Sequence, residues 1–212
     1  MHVQEEGKNI HFQKELFMNQ SFEEQDLTEA TFDGCRFVEC SFRYASLREV
    51  QSTRCSFSHC DFQGSTFNAS THSESAFLNC DFYASNLFAS RFEACKMTGS
   101  TFEQANLSAI VIEQGDWSYT NLRGQHLQNL NLQHVNFSFA DLSGARLDKS
   151  DLRHTNLTMT TFVKANLRDA DLRGANMNGV NFRDFDLTNV KIDFTQAVIM
   201  AKSFGARVEE DE

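Results

Sequence analysis

Six cysteines have the clearest capacity for chemistry in this 212-residue chain, because thiols form disulfides and bind soft metal ions. One interpretation of them is a disulfide framework or a metal site. The other is that each cysteine acts as a small apolar residue in a narrow core, in place of alanine or serine. We favour the second interpretation, since no secretory signal is visible and thiols stay reduced in the cytosol. The six are Cys35, Cys40, Cys55, Cys60, Cys80 and Cys95.

Ser52 and His72 are a second candidate, a hydroxyl and an imidazole twenty residues apart in locally polar sequence. They do not make a catalytic site, because the sequence places no third group to orient the imidazole. The pair is either a notch that binds a ligand or partner, or two polar groups that hydrogen-bond in the core or turn outward at a bulge. We favour the core or bulge interpretation. The other histidines are dispersed and lack metal-ligand spacing.

Both candidates belong to one repeat that runs through the chain. Every fifth residue from Phe12 to Ile192 is a large apolar side chain, with Ser52 and His72 as the exceptions. A spacing of five fits neither the helical period of 3.6 nor the strand period of 2, so the chain must turn once in every repeat. No insertion shifts the frame, which predicts a single repeat domain at 10–193.

Two positions of each repeat are expected to point inward. We call the large residue the centre, and the residue two places before it the small position, since alanine, serine and cysteine predominate there. All six cysteines occupy small positions, and Gln125, Leu130 and Phe185 are the main departures. Centres twenty residues apart are alike, as in the phenylalanine and leucine series from Phe22 to Phe182. This predicts that like residues stack in successive coils.

The repeat resembles that of the pentapeptide-repeat family, whose consensus is A(D/N)LXX. Matching tripeptides lie at Ala105–Leu107, Ala140–Leu142, Ala165–Leu167 and Ala170–Leu172, and the resemblance covers about residues 10–192. In that family four repeats make one coil of a right-handed quadrilateral β-helix. The resemblance therefore implies an all-β fold, a right-handed quadrilateral parallel β-helix with a short C-terminal capping helix.

Beyond Ile192 the pattern changes to that of a short amphipathic helix. Thr195 is the expected N-cap and Gly205 the expected stop. We expect this helix, which has one apolar face, to cap the last coil, which would otherwise expose its core and backbone edge. That face comprises Phe194, Ala197, Val198, Ala201 and Phe204. The expected segments are thus 1–9 at the N-terminus, the repeat domain, a helix and short strand at 194–208, and an acidic tail at 209–212.

This C-terminal segment resembles that of the topoisomerase-directed members of the family, the Qnr and MfpA type. In those proteins the last coil and helix form a two-fold dimer, so the resemblance implies a homodimer through this end. The expected interface comprises the apolar face of the helix together with the outward apolar residues Phe139, Met159 and Val163 of the C-terminal coils. Qnr proteins of Gram-negative bacteria carry loops that interrupt the repeat. This chain has none that shift the register and is closer in that respect to the MfpA type.

The charge pattern suggests the kind of partner. The net charge is −10, which disfavours contact with nucleic-acid phosphates and suits a basic protein surface. Acidic residues of the N-terminal coils are expected to meet that surface, although a merely solvated acidic face is the alternative. They are Glu23, Glu24, Asp26, Glu29, Asp33 and Glu39.

The family resemblance implies a DNA-mimicking protein that binds bacterial DNA gyrase or topoisomerase IV. It would protect the enzyme from quinolones or gyrase-targeting toxins, or modulate their inhibition. A generic interaction scaffold or regulator with another partner is the alternative. No signal peptide, long apolar segment, catalytic constellation or phosphate-binding loop is visible. We therefore expect a cytoplasmic, non-enzymatic protein without cofactor, metal or membrane contact.

Overall fold

A computed structural model describes residues 10–209. The N-terminal segment expected at 1–9, and residues 210–212 of the expected acidic tail, lie outside the described residues. Ten three-residue strands precede one helix, α1, at Phe194–Ser203. The strands are β1 His11–Gln13, β2 Leu16–Met18, β3 Thr31–Asp33, β4 Arg36–Val38, β5 Gln51–Thr53, β6 Ser56–Ser58, β7 Thr71–Ser73, β8 Ala76–Leu78, β9 Arg91–Glu93 and β10 Val111–Glu113.

Strands pair in parallel with strands one coil away. β1 pairs with β3 in the register Phe12↔Phe32, and β2 pairs with β4 in the register Phe17↔Phe37, so one coil holds twenty residues. The sheet β1-β3-β5-β7-β9-β10 forms face 1 of the rod, and the sheet β2-β4-β6-β8 forms face 2. Parallel bridges at the same spacing extend both faces toward the C-terminus.

Two further faces consist of single parallel bridges. Face 3 begins with Ser21↔Ser41 and face 4 with Asp26↔Ser46, and both series continue in steps of twenty residues, except that the step from Asn106 to His126 on face 4 has no bridge. With four faces per coil, the predicted quadrilateral parallel β-helix is confirmed. Residues 10–209 contain no helix with the length and apolar character needed to cross a bilayer.

Corners between faces explain how the chain turns in every repeat. The residue two places after a centre adopts a left-handed conformation, as at Lys14 (φ 53°), Asn19 (φ 52°) and Glu24 (φ 57°). Its N–H then donates to a carbonyl of the next coil, as from Lys14 to Asp33 at 2.8 Å. Each five-residue repeat is therefore one short extended segment followed by one corner.

The core is a stack of like side chains, as the sequence predicts. The rings of Phe17, Phe37, Phe57 and Phe77 follow one another with centroids 4.9, 4.7 and 4.6 Å apart and interplanar angles of 10° or less. These spacings equal the distance between neighbouring strands, so coil spacing and ring stacking reinforce each other.

Side chains in the small position also bond the coils together. The thiol of Cys60 donates to the Phe37 carbonyl at 3.5 Å, and the hydroxyl of Ser100 donates to the Phe77 carbonyl at 2.9 Å. Cysteine and serine therefore make equivalent contacts with the preceding coil. All six cysteines are free and buried, in agreement with the core interpretation of these residues.

The helix begins one residue after a cap that differs from the one predicted. Asp193, not Thr195, is the N-cap, and its carboxylate accepts from the Gln196 N–H at 3.0 Å in a capping box. The same carboxylate accepts from the Gly174 N–H at 2.6 Å, which ties the helix to the last coil. Aspartate at this point satisfies both donors, which Thr195 is too far along the chain to reach. Gly205, with φ 92°, follows the end of the helix as expected.

The short strand expected after the helix is absent from residues 205–209. A strand needs an open edge to pair with, and α1 covers the end of the coil stack within this chain. The Ala206 N–H bonds instead to the Ala201 carbonyl at 3.0 Å, which completes the helix end.

Candidate partner-binding surfaces

The six acidic residues predicted to meet a partner do not form one patch. Glu24, Asp26 and Glu29 lie on face 4 and on the two corners beside it. Glu23, Asp33 and Glu39 lie elsewhere, on face 3, on face 1 and at the corner between faces 2 and 3. The structure thus groups three of the six and separates the others around the first two coils.

Three of these carboxylates already have a hydrogen-bond or ion-pair partner within the chain. Asp33 accepts from the Arg54 guanidinium at 2.9 Å, and this hydrogen bond holds the pKa of Asp33 below its usual range. Asp26 accepts from the Thr28 hydroxyl at 2.6 Å, which likewise lowers the pKa of Asp26. Glu23 lies 3.8 Å from the Arg43 guanidinium.

Glu24, Glu29 and Glu39 are the acidic residues best placed to meet a partner. All three side chains are exposed, and none has an ion-pair partner among residues 10–209. Glu24 and Glu29 flank face 4, and Glu49 repeats the position of Glu29 one coil further along. Sequence reasoning did not single out Glu49, although its twenty-residue distance from Glu29 was a usable signal.

α1 packs on the last coil through a face other than the predicted one. Gln196 is buried, and its side-chain amide donates to the Ala175 carbonyl at 2.9 Å and also to the Leu172 carbonyl. Ile199 and Met200, three and four residues later, pack against the core. These carbonyls belong to the last coil, so no further coil supplies N–H donors to them. Gln196 caps the stack because its side-chain amide donates to them instead.

α1 caps the stack, as predicted, while its predicted apolar face is largely exposed. Phe194 is 83% exposed and Phe204 is 50% exposed, while Ala197, Val198 and Ala201 are partly exposed between them. The Arg183 guanidinium lies 5.3 Å from the Phe204 ring centroid. Apart from this contact, Phe194 and Phe204 expose apolar surface at the end of the rod.

The outward apolar residues predicted on the C-terminal coils fall into two groups. Phe139 and Met159 lie one coil apart at the corner between faces 2 and 3, and are 48% and 54% exposed. Tyr119, which the sequence interpretation missed, stacks on Phe139 with ring centroids 4.8 Å apart. Val163 lies apart from this column on face 3 and is 42% exposed.

Ser52 and His72 are buried in the core rather than turned outward. They pair across β5 and β7, and the Ser52 hydroxyl lies 2.7 Å from His72 Nδ1. His72 Nε2 lies 3.0 Å from the Ser70 hydroxyl, so both ring nitrogens have partners. Burial lowers the pKa of His72 to about 3, which keeps the imidazole neutral near pH 7. The arrangement is a satisfied core pair with no opening to solvent.

Surface depressions are shallow, and no metal cluster is present in the described part of the chain. Depressions of ≈ 240 to ≈ 430 Å³ lie between neighbouring coils and are open to solvent. Among residues 10–209, no three or more histidine, cysteine, aspartate or glutamate side chains are grouped to hold a metal ion. The exposed surfaces therefore offer contact areas along a rod rather than an enclosed site.

Comparison with known proteins agrees with this architecture. A family model described as Pentapeptide repeats matches overlapping segments at 105–138, 118–153, 131–169, 150–189 and 165–198, and a second model of the same description matches 19–61. No curated protein matches the sequence.

Solved structures of QnrB1, a plasmid-mediated fluoroquinolone resistance protein, have the same fold. The full-length protein superimposes with a TM-score of 0.84 at 20% sequence identity, over 92% of this chain and 100% of that one. A trypsin-treated variant gives a TM-score of 0.82 at 21% identity, over 94% of this chain and 99% of that one. The repeat, the four-faced coil and these matches lead to one conclusion: the chain belongs to the pentapeptide-repeat family.

Proposed function

We propose that this protein binds a bacterial type II topoisomerase, DNA gyrase or topoisomerase IV, as a DNA mimic. By doing so it would protect the enzyme from quinolones or gyrase-targeting toxins, or modulate their inhibition. The observation that carries the proposal is the correspondence in fold with QnrB1, a fluoroquinolone resistance protein, over 92% of this chain and 100% of that one. The mechanism requires no catalysis, only occupation of a DNA-binding surface.

Charge supports the kind of contact proposed. The chain carries a net charge of −10, and Glu24 and Glu29 extend from either side of face 4 without ion-pair partners in the described chain. A surface that binds DNA is basic, so an acidic rod is attracted to it at long range. Because such steering is screened by salt, binding should weaken as ionic strength rises.

A supercoiling assay tests the proposal directly. Purified gyrase is mixed with relaxed plasmid, a fluoroquinolone and micromolar protein, and both supercoiling and drug-stabilised DNA cleavage are measured. We expect the protein to change at least one of them and to be retained by immobilised gyrase. No binding and no change in either readout at micromolar protein would contradict the proposal and favour the alternative, an interaction scaffold with a non-topoisomerase partner.

A matched pair of variants locates the contact. Glu24→Gln/Glu29→Gln removes two charges from face 4 of the first coils. Glu74→Gln/Glu103→Gln removes two exposed charges from the corner between faces 1 and 2 and from face 3, and serves as the control. We expect the first variant to weaken gyrase binding at least five-fold more than the control. Equal effects would show that only net charge matters and that face 4 is not the contact surface.

A further inference from the structure

The hydrogen-bond ladder that joins the coils fails at one place in the middle of the rod. Every corner residue from Lys14 to Gly99 donates its N–H to a carbonyl nineteen residues later, at 2.8–3.1 Å. Gln104, Ala109 and Gln114 make no such bond, and the series resumes at Tyr119. The sequence shows no insertion here, so the interruption is in the packing of the coils and not in the register.

The facing coil lacks the matching bonds. His126 and Asn131 should donate to the carbonyls of the preceding coil, as residues at their position do on either side, but they do not. The bridges expected at these two residues with the preceding coil are also missing within residues 10–209. The interruption therefore affects both edges of the junction.

Only two of the four faces are interrupted. On faces 2 and 3 the neighbouring bonds are intact, from Trp117 to the Asn136 carbonyl at 2.7 Å and from Asn121 to the Ser100 carbonyl at 3.0 Å. A cleft of ≈ 380 Å³ lies on face 4 between 104–108 and 123–126, and one of ≈ 240 Å³ lies on face 1 beside Gln114. The coils are thus separated on one side and bonded on the other.

Large residues in the small position account for the separation. Gln125 and Leu130 occupy that position in adjacent repeats, and Ile110 lies one coil before Leu130. The Gln125 amide reaches the Phe102 carbonyl at 2.7 Å, a bond that the shorter Thr160 makes with the Phe137 carbonyl where the ladder is intact. Extra volume in a packed core displaces the backbone, here by spreading two coils.

Gly115 marks the end of the gap. It is in a small position, yet its φ is 100°, and a Cβ there would collide with the Cys95 carbonyl of the preceding coil. At Gly115 the bonds to the following coil resume, since the Asn136 N–H donates to the Gly115 carbonyl at 3.0 Å. The coil that contains Gly115 is therefore packed closely on the coil before it, whereas its junction with the coil after it is open on faces 4 and 1 and bonded on faces 2 and 3, which makes that junction wedge-shaped.

We propose that this junction is a one-sided hinge. It joins two units of the rod, residues 10–114 and 124–192, through the connecting segment 115–123 on faces 2 and 3. Faces 4 and 1 open and close there because the backbone bonds that would resist the motion are already missing, whereas core residues such as Leu107 and Leu127 stay buried. A rod with such a hinge can adjust its bend to the surface of a partner.

Amide hydrogen exchange on the full-length protein tests the hinge. Protection factors of Leu107, Ala109 and Gln114 are compared with those of Leu87, Ala89 and Ala94, which hold the same positions one coil earlier and are bonded at 2.9–3.1 Å. We expect the first group to be at least ten-fold less protected, while Trp117 and Asn121 retain the protection of the earlier coils. Equal protection of the two groups would overturn the proposal.

A variant that replaces the large side chains of Gln125 and Leu130 provides the second test. Gln125→Ala/Leu130→Ser restores small side chains, and we expect the protection of Leu107 and Ala109 to rise at least ten-fold. Thr160→Ala is the control, since it removes an equivalent side-chain bond where the ladder is intact and should leave the junction unchanged. A folded double variant with unchanged protection at the junction would show that these two side chains do not cause the separation of the coils. If the variant does not fold, the wild-type comparison alone decides for or against the hinge.

Discussion

Single side chains in the small position do more than fill space. The thiols donate to carbonyls of the same and of the preceding coil, as Cys95 does to the His72 carbonyl at 3.3 Å. Burial raises the pKa of Cys55 and of Cys95 to about 11, so these residues stay protonated and keep their donor hydrogen near pH 7. The same environment that makes the cysteines poor nucleophiles makes them reliable structural donors.

His72 should make the stability of the rod depend on pH. Burial lowers its pKa to about 3, whereas a histidine in the unfolded chain titrates near 6.5. The unfolded state therefore takes up the proton first, and stability present above pH 6.5 is lost as the pH falls toward 3. Between pH 7 and pH 4.5 the expected contribution is a loss of about 2–3 kcal/mol in the unfolding free energy, measurable by urea denaturation.

The variant His72→Phe isolates this effect. Phenylalanine suits the column, since His72 already stacks on Phe92 at 4.8 Å, and the Ser52 and Ser70 hydroxyls keep Ser75 and Ser90 as partners. We expect the variant to lose the pH-dependent difference, while His59→Gln on the surface retains it. A variant with the wild-type pH dependence would assign the effect to other groups.

Gly115 should tolerate substitution less well than Gly124, although both have positive φ. At Gly124 an added Cβ meets nothing within 4 Å, so alanine costs only the left-handed conformation, about 1–2 kcal/mol. At Gly115 the Cβ also collides with backbone of the preceding coil, and the loss should be greater by about 1 kcal/mol or more. Thermal or urea unfolding of the two alanine variants measures the difference, and equal losses would contradict the backbone contact.

At the scale of elements, the coils were predictable because one spacing sets both the turn and the inward face. The outward direction of Phe194 could not be predicted, because an amphipathic pattern does not show which neighbour a helix packs on. The orientation of the helix depends on the hydrogen bonds that the buried Gln196 amide donates to carbonyls of the last coil. The missing bonds beside Gln125 were not predictable either. The sequence shows only that a large residue stands in a small position, and whether the facing coil moves to accommodate it depends on the packing.

The N-cap of α1 should be essential to the attachment of the helix. Asp193→Ala removes the acceptor for the Gln196 and Gly174 N–H groups and should cost about 1–2 kcal/mol of stability. Thr195→Ala, at the cap predicted from the sequence, is the control and should be nearly neutral, because Thr195 is exposed. Urea unfolding gives both values, and a larger loss for Thr195→Ala would contradict the assigned cap.

On the scale of the whole molecule, the two ends of the rod present different surfaces. The N-terminal coils have ion pairs but also carry Glu24, Glu29 and Glu39, which are exposed and have no ion-pair partner in the described chain. On the C-terminal coils, arginine and aspartate side chains pair with each other. The Arg173 guanidinium, for example, lies 2.6 Å from the Asp171 carboxylate. The proposed contact with a topoisomerase would use the first end, and the homodimer that the family resemblance implies would use the second, with the exposed apolar face of α1.

We propose that the chain dimerises through its C-terminal end, and Phe194→Asp should then convert the dimer into a monomer. Phe194 is 83% exposed in the single chain, and a carboxylate there would be desolvated on association without a partner to compensate it. Phe88→Asp is the matched control, because Phe88 is also exposed, at 47%, but lies on the N-terminal half of face 4. Size-exclusion chromatography with light scattering should give the dimer mass for the wild type and the control and the monomer mass for Phe194→Asp. A dimer that survives this substitution would place the interface elsewhere, with the column of Tyr119, Phe139 and Met159 as the next candidate.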